Sequence, residues 1–216
     1  MPAAKRGNAP WMSEALVMTT TRKANRFWLW RPLVGRHPER DQVVVQKDWR
    51  SILFIMLNPS TADDKVEDPT IRRCIGFALQ TGHAEMGVVN LNPRRATDPT
   101  KLKPTEQQDR MYNLHVVASA MNWASTIVLA WGSLDNLRRP AWHMAHAEAS
   151  LTTEAAWGSG KGPWCLGQCK NHQPRHPLFV RGDTPLQPYD AVRPGRPKMY
   201  WTPGTGVTTK RMGSIL

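Results

Sequence analysis

The stretch Ser51 to Leu79, SILFIMLNPSTADDKVEDPTIRRCIGFAL, changes character twice in quick succession. Ile52 to Leu57 are all apolar, and a short unbroken apolar run is the pattern of a strand buried on both faces of a parallel sheet. The strand is expected to stop at Asn58, because Pro59 has no N–H for a ladder and the polar residues Asn58, Ser60 and Thr61 favour turns. A helix is expected next. Asp68 suits the N-cap and Pro69 the first helical position, and Ile71, Cys74, Ile75, Ala78 and Leu79 recur on one helical face. The polar loop between these elements then lies at the carboxyl end of a buried strand, where open α/β sheets hold their ligands.

Further apolar runs, Met86 to Leu91 and Thr126 to Trp131, each end in small or polar residues. Between them Thr105 and Gln108 have capping-box spacing, and Met111, Leu114, Ala118 and Met121 form a helical face. Ser133 to Ala156 is also expected to be helical, restarted at Pro140. Strand and helix alternate throughout, which predicts a three-layer αβα sandwich around a central, mostly parallel sheet. A β-hairpin precedes it, with Phe27 to Pro32 as one arm, Val43 to Val45 as the other and Arg36 and Arg40 at the tip. Trp164 to Leu166 and Pro177 to Val180 are expected as short final strands. The domain is placed at residues 24–180. Residues 1–23 are expected to be a flexible basic arm, and 181–216 a basic tail rich in proline and glycine.

The chain has 216 residues, a net charge of +12 and a pI of about 10.2. Residues 1–50 hold 10 Lys and Arg against 4 Asp and Glu, residues 51–160 hold 10 against 11, and residues 161–216 hold 9 against 2. Positive flanks around a neutral centre suit a chain whose ends lie along a polyanion such as DNA; the same distribution also suits a protein with plain basic tails. No run is long enough for a membrane span, and the first residues lack the apolar core of a signal peptide, so no membrane partner and a cytoplasmic location are expected. Three cysteines, an odd number, fit a reducing compartment.

Three polar sets fall at or after strand ends: Asn58 to Asp68, Asn90 to Asp98 and Gln173 to Leu178. Strand ends in a parallel sheet meet along one edge, so these sets are expected to converge on one pocket. Met56-Leu57-Asn58-Pro59-Ser60, Val88-Val89-Asn90-Leu91, Ala130-Trp131-Gly132-Ser133 and Arg175-His176-Pro177-Leu178 resemble, in order and approximate spacing, four motifs of the uracil-DNA glycosylase superfamily. Asn58-Pro59-Ser60-Thr61-Ala62-Asp63, Asp68-Pro69-Thr70-Ile71-Arg72-Arg73, Ala96-Thr97-Asp98-Pro99 and His176-Pro177-Leu178 resemble, more closely, an uncharacterised bacterial and phage domain family with an N-P-S-T-A-D signature. Met56 and Ser60 stand where the glycosylases usually have glycines, and Leu178 where they have serine. A side chain in place of the first glycine narrows the site, which argues against uracil itself.

What the resemblance implies is cleavage of the N-glycosidic bond of a modified or damaged base in DNA. Asn58 would hold the attacking water and His176 would donate to the base oxygen where negative charge develops. Asn90 would read the edge of a flipped base, with Pro59, Ser60, Thr61, Asp68 and Arg72 around it and Arg94 and Arg95 on phosphates. Asp63, with Asp64, Glu67 and Asp68, forms an acidic cluster open to several readings: a general base in place of Asn58, a holder of an amine or divalent metal, or a solvated face. Asn58 also suits a strand-ending turn, Asn90 a loop cap, His176 a backbone contact and Asp68 a helix cap.

Cys165, Cys169, His172 and His176 are all zinc-ligand types, but their spacing is too compressed for the usual finger, and no metal is expected. No phosphate-binding loop or dinucleotide fingerprint occurs, and no cofactor is expected. Two rival readings stand beside this one: a phage-type transferase that hypermodifies a DNA base in the same pocket, which the acidic cluster would suit, and a non-catalytic DNA-binding protein whose contacts are the arm and the tail, with the pocket vestigial.

Overall fold

The computed structural model describes residues 16–19, 25–33, 50–59, 68–189, 199–202 and 206–209. Two strands come first, β1 (Leu16–Thr19) and β2 (Arg26–Pro32), then β3 (Ser51–Met56), in which every residue is buried. Helix α1 (Pro69–Gln80) leads to β4 (Glu85–Asn90), α2 (Gln107–Trp123) to β5 (Thr126–Leu129), and α3 (Ala141–Gly158) to β6 (Trp164–Cys165). Strand β7 (Gln187–Pro188) follows, then a hairpin of β8 (Met199–Thr202) and β9 (Gly206–Thr209).

Seven strands form one sheet in the order β1-β2-β4-β3-β5-β6-β7. β4, β3, β5 and β6 are parallel neighbours, whereas β1, β2 and β7 pair antiparallel at the two sides. The fold is therefore mixed α/β, and the expected mostly parallel sheet is parallel only at its centre. Parallel neighbours need a crossover, which α1, α2 and α3 supply. Side chains of β3 alternate between two cores, as a pleated strand requires. Ile52, Phe54 and Met56 pack with Ile71, Cys74 and Ile75 of α1, and Leu53, Ile55 and Leu57 pack on the face that holds α2 and α3.

Asp68 caps α1 as expected, accepting from the Thr70 N–H at 2.8 Å, with Pro69 in the first turn. The buried face of α1 includes Phe77, however, and Leu79 is 52% exposed. The face predicted for α2 is also displaced. Asn113, Val116, Val117, Ala120 and Met121 point inward, while Met111 is exposed. No capping box forms, because the Thr105 hydroxyl donates to Asn92 Oδ1 at 2.7 Å instead. Residues 133–139 are turns rather than helix, and α3 begins only after Pro140. Pro177–Phe179 is a 3-10 turn, not a strand. Of the expected hairpin, β2 is present but lies between β1 and β4, and Val43 to Val45 fall outside the described residues. The sheet also reaches past both limits of the 24–180 segment, through β1 on one side and β7 on the other.

Candidate active site

β3 and β5 run parallel and adjacent, so their carboxyl ends open onto the same edge of the sheet. Met56, Leu57 and Asn58 at the end of β3 and Trp131, Gly132 and Ser133 beyond β5 line a cavity of about 640 Å3, within the range of small-molecule sites. Asp68 and Thr70 close it at the start of α1, and Arg175, His176 and Phe179 on the other side. The loop carrying His176 is tied to the one after β5 by several hydrogen bonds. Gly132 N–H donates to Pro174 O at 2.9 Å, and Trp131 Nε1 donates to Gln173 Oε1 at 2.6 Å. Gly132 has φ +79, and a Cβ there would lie 3.3 Å from His176 Cβ, so glycine is what lets these loops approach.

Asn58 is fixed by its amide nitrogen, which donates to Ala96 O at 2.7 Å and Pro59 O at 3.0 Å. Its Oδ1 accepts from no described residue. His176 is fixed by its other end. The Leu178 N–H donates to Nδ1 at 3.3 Å, so Nδ1 is the unprotonated nitrogen and Nε2 carries the hydrogen, with no partner among the described residues. Burial holds the His176 imidazole below its ordinary value, opposed by the negative charge of Asp68. The cavity thus contains one side chain held as an acceptor and one neutral side chain held as a donor.

The expected site residues divide into groups. Asn58, Asp68 and His176 line the same cavity. Asn90 does not line it; it ends β4 beside Met56, is fully buried, and neither amide atom has a partner among the described residues. Pro59 is buried, and its carbonyl also accepts from the Ala96 N–H at 3.0 Å. Arg94 lies outside the cavity, where its Nη1 donates to Pro104 O at 3.0 Å. Arg95 is half-buried and Arg72 exposed, and neither lines the cavity. Ser60, Thr61, Asp63, Asp64 and Glu67 lie outside the described residues.

Sequence reasoning missed Arg26, a buried arginine that enters the cavity from β2. Nothing in the alternating run around it marks it as a site residue. The segment Trp131 to Ser133 gave a signal through the abrupt end of an apolar run at Gly132. Of the four zinc-type residues, Cys165 is buried in the core and only Cys169 and His176 reach the cavity. Among the described residues no three His, Cys, Asp or Glu side chains gather as a metal site. Cys74, behind the cavity, has its thiol pushed far up by burial and by Asp68, and stays protonated.

Among the described residues no helix is long and apolar enough to cross a membrane. No curated protein and no solved structure matches the chain. A family model described as protein of unknown function (DUF1643) matches residues 26–178, from Arg26 at the cavity's back through Asn58 to the His176-Pro177-Leu178 turn. The chain belongs to that DUF1643 family.

Proposed function

We propose that this protein acts on a base in DNA by cleaving its N-glycosidic bond, in a fold of the uracil-DNA glycosylase type with α1 as one helical layer and α2 and α3 as the other. The observation that carries the reading is the pairing of Asn58 and His176 in one nucleoside-sized cavity, the amide oxygen of the first and the Nε2–H of the second both without a partner among the described residues. Water on Asn58 Oδ1 attacks C1′ of the sugar. Asp68, the carboxylate lining the same cavity, receives the proton that an amide cannot take. The bond to the base breaks with its electron pair leaving on the base, and the His176 N–H hydrogen-bonds the oxygen where that charge collects.

Reaching such a cavity requires the nucleotide to leave the stack. Phe179, 77% exposed on the cavity's rim, offers a ring to fill the vacated space, and the exposed Arg175 and Arg181 nearby suit phosphates. The basic segments 1–50 and 161–216 add affinity without regard to sequence. In this reading Asn90, buried beside Met56 at the end of β4 and outside the cavity lining, does not contact the base.

The test is to incubate the protein with DNA carrying a panel of modified and damaged bases and to follow every base by mass spectrometry. Free base with abasic sites is the expected result. A heavier base in intact DNA would make the protein a hypermodifying transferase, and binding without chemistry a DNA-binding protein. Asn58→Ala and His176→Ala should each lose at least about a hundredfold in rate while keeping salt-sensitive DNA binding.

A further inference from the structure

Beside His176 runs a chain of hydrogen bonds whose direction follows from its end. Asp135 is a carboxylate and can only accept, so the Asn171 atom 2.7 Å from its Oδ2 is the amide nitrogen. The Gln173 N–H, 3.3 Å from Asn171 Oδ1, requires the same orientation. Asn171 Nδ2 therefore also donates to Ser133 Oγ, at 2.8 Å. The Asp135 backbone N–H points at the same Oγ from 3.3 Å. Both lone pairs of the hydroxyl are then engaged, and only its O–H remains. Ser133 lines the cavity, and that hydrogen has no acceptor among the described residues.

Resting on the reading of the cavity as a base pocket, we infer that Ser133 is a specificity-determining residue, a hydrogen-bond donor of fixed polarity that takes an oxygen of the ligand and rejects an N–H in the same place. Asn171 is its positioning residue, acting through Ser133 and oriented in turn by Asp135. A free serine hydroxyl accepts or donates as its partner requires; this one is committed, because turning it to accept from a ligand would aim its single hydrogen at one of the two N–H groups that donate to it. The cavity then offers a donor at His176, a donor at Ser133 and an acceptor at Asn58. A ligand with two oxygens fits this set, and one presenting an exocyclic amine at Ser133 does not. The oxygen argued for is a base carbonyl; a phosphate oxygen has the same acceptor chemistry.

The test measures binding of thymidine, thymidine monophosphate and the difluorotoluene nucleoside, a shape mimic of thymidine without its carbonyl acceptors, to the full chain by calorimetry. The wild type should prefer thymidine over the mimic by about tenfold or more, and Ser133→Ala should reduce that preference by about three- to tenfold. Ser133→Thr should restore it, and Asn171→Ala, which leaves the hydroxyl in place but unheld, should fall between. A purely structural role for Ser133 would weaken all three ligands alike. Should Ser133→Ala fail to melt cooperatively, Ser133→Cys, a weaker donor, carries the same comparison with Asn171→Ala. If Ser133→Ala instead removes only the advantage of the monophosphate over thymidine, the partner is a phosphate oxygen and the donor role stands. If thymidine binds the wild type and Ser133→Ala preserves both preferences, the donor role is overturned while the base pocket stands. If the wild type binds none of the three, the base pocket falls and the inference with it.

Discussion

His176 sits under two opposed influences, since burial pushes its imidazole toward the neutral form and Asp68 pulls it back. Its folded value lies below the ordinary 6.5, so it is neutral at pH 7 and takes its proton only at a pH under that value. An NMR titration of the imidazole should therefore show a midpoint below 6.5, and in Asp68→Asn, where asparagine still caps α1, the midpoint should move lower still. A midpoint that rises in Asp68→Asn would contradict the arrangement. Gly132→Ala tests the contact behind it. The left-handed backbone and the close His176 Cβ should cost about 1 kcal/mol of stability, with a proportionally larger loss of activity as the imidazole is displaced.

In α1, the strand–turn–helix grammar of Ser51 to Leu79 gave the element and its cap, but the apolar residues outnumber what one helical face can bury. Phe77 is inside and Leu79 outside, so Phe77→Ala should cost about 3–5 kcal/mol in chemical denaturation and Leu79→Ser under about 0.5. The same difficulty explains α2. Its inward face contains Asn113, whose Nδ2 donates to the carbonyls of Asn90 and Leu91, and a buried polar side chain is invisible to a hydrophobic period. The cavity was legible as a convergence of strand ends because β3 and β5 carry unmistakable buried runs; Arg26 was not, since its neighbours alternate like any strand. Just after α1, His83 bridges Thr81 and Thr126 at 2.8 and 2.9 Å, and burial, then the charge of Arg50, lowers it to about 4. The unfolded chain takes that proton first, so about 3 kcal/mol of stability present above pH 6.5 should be lost on descending to about pH 4. Urea midpoints at both pH values should show this loss in the wild type beyond that in His83→Gln; equal losses would remove His83 as the cause.

Across the chain, the excess positive charge is concentrated toward the two ends. The central 110 residues are nearly balanced while both flanks are basic, so binding to DNA and action on a base should respond to different changes. Affinity for unmodified DNA should fall by at least about a hundredfold between roughly 50 and 200 mM salt, and Asn58→Ala should leave that slope unaltered. Chemistry, by contrast, should depend on the cavity alone. The most direct measurement is the rate at which abasic sites form in DNA carrying the processed base, with wild type, Asn58→Ala and Asn58→Asp side by side. Loss of at least about a hundredfold in Asn58→Ala, with activity retained in Asn58→Asp because a carboxylate still holds the water, is the predicted result. An Asn58→Ala protein that forms abasic sites as fast as the wild type would contradict it.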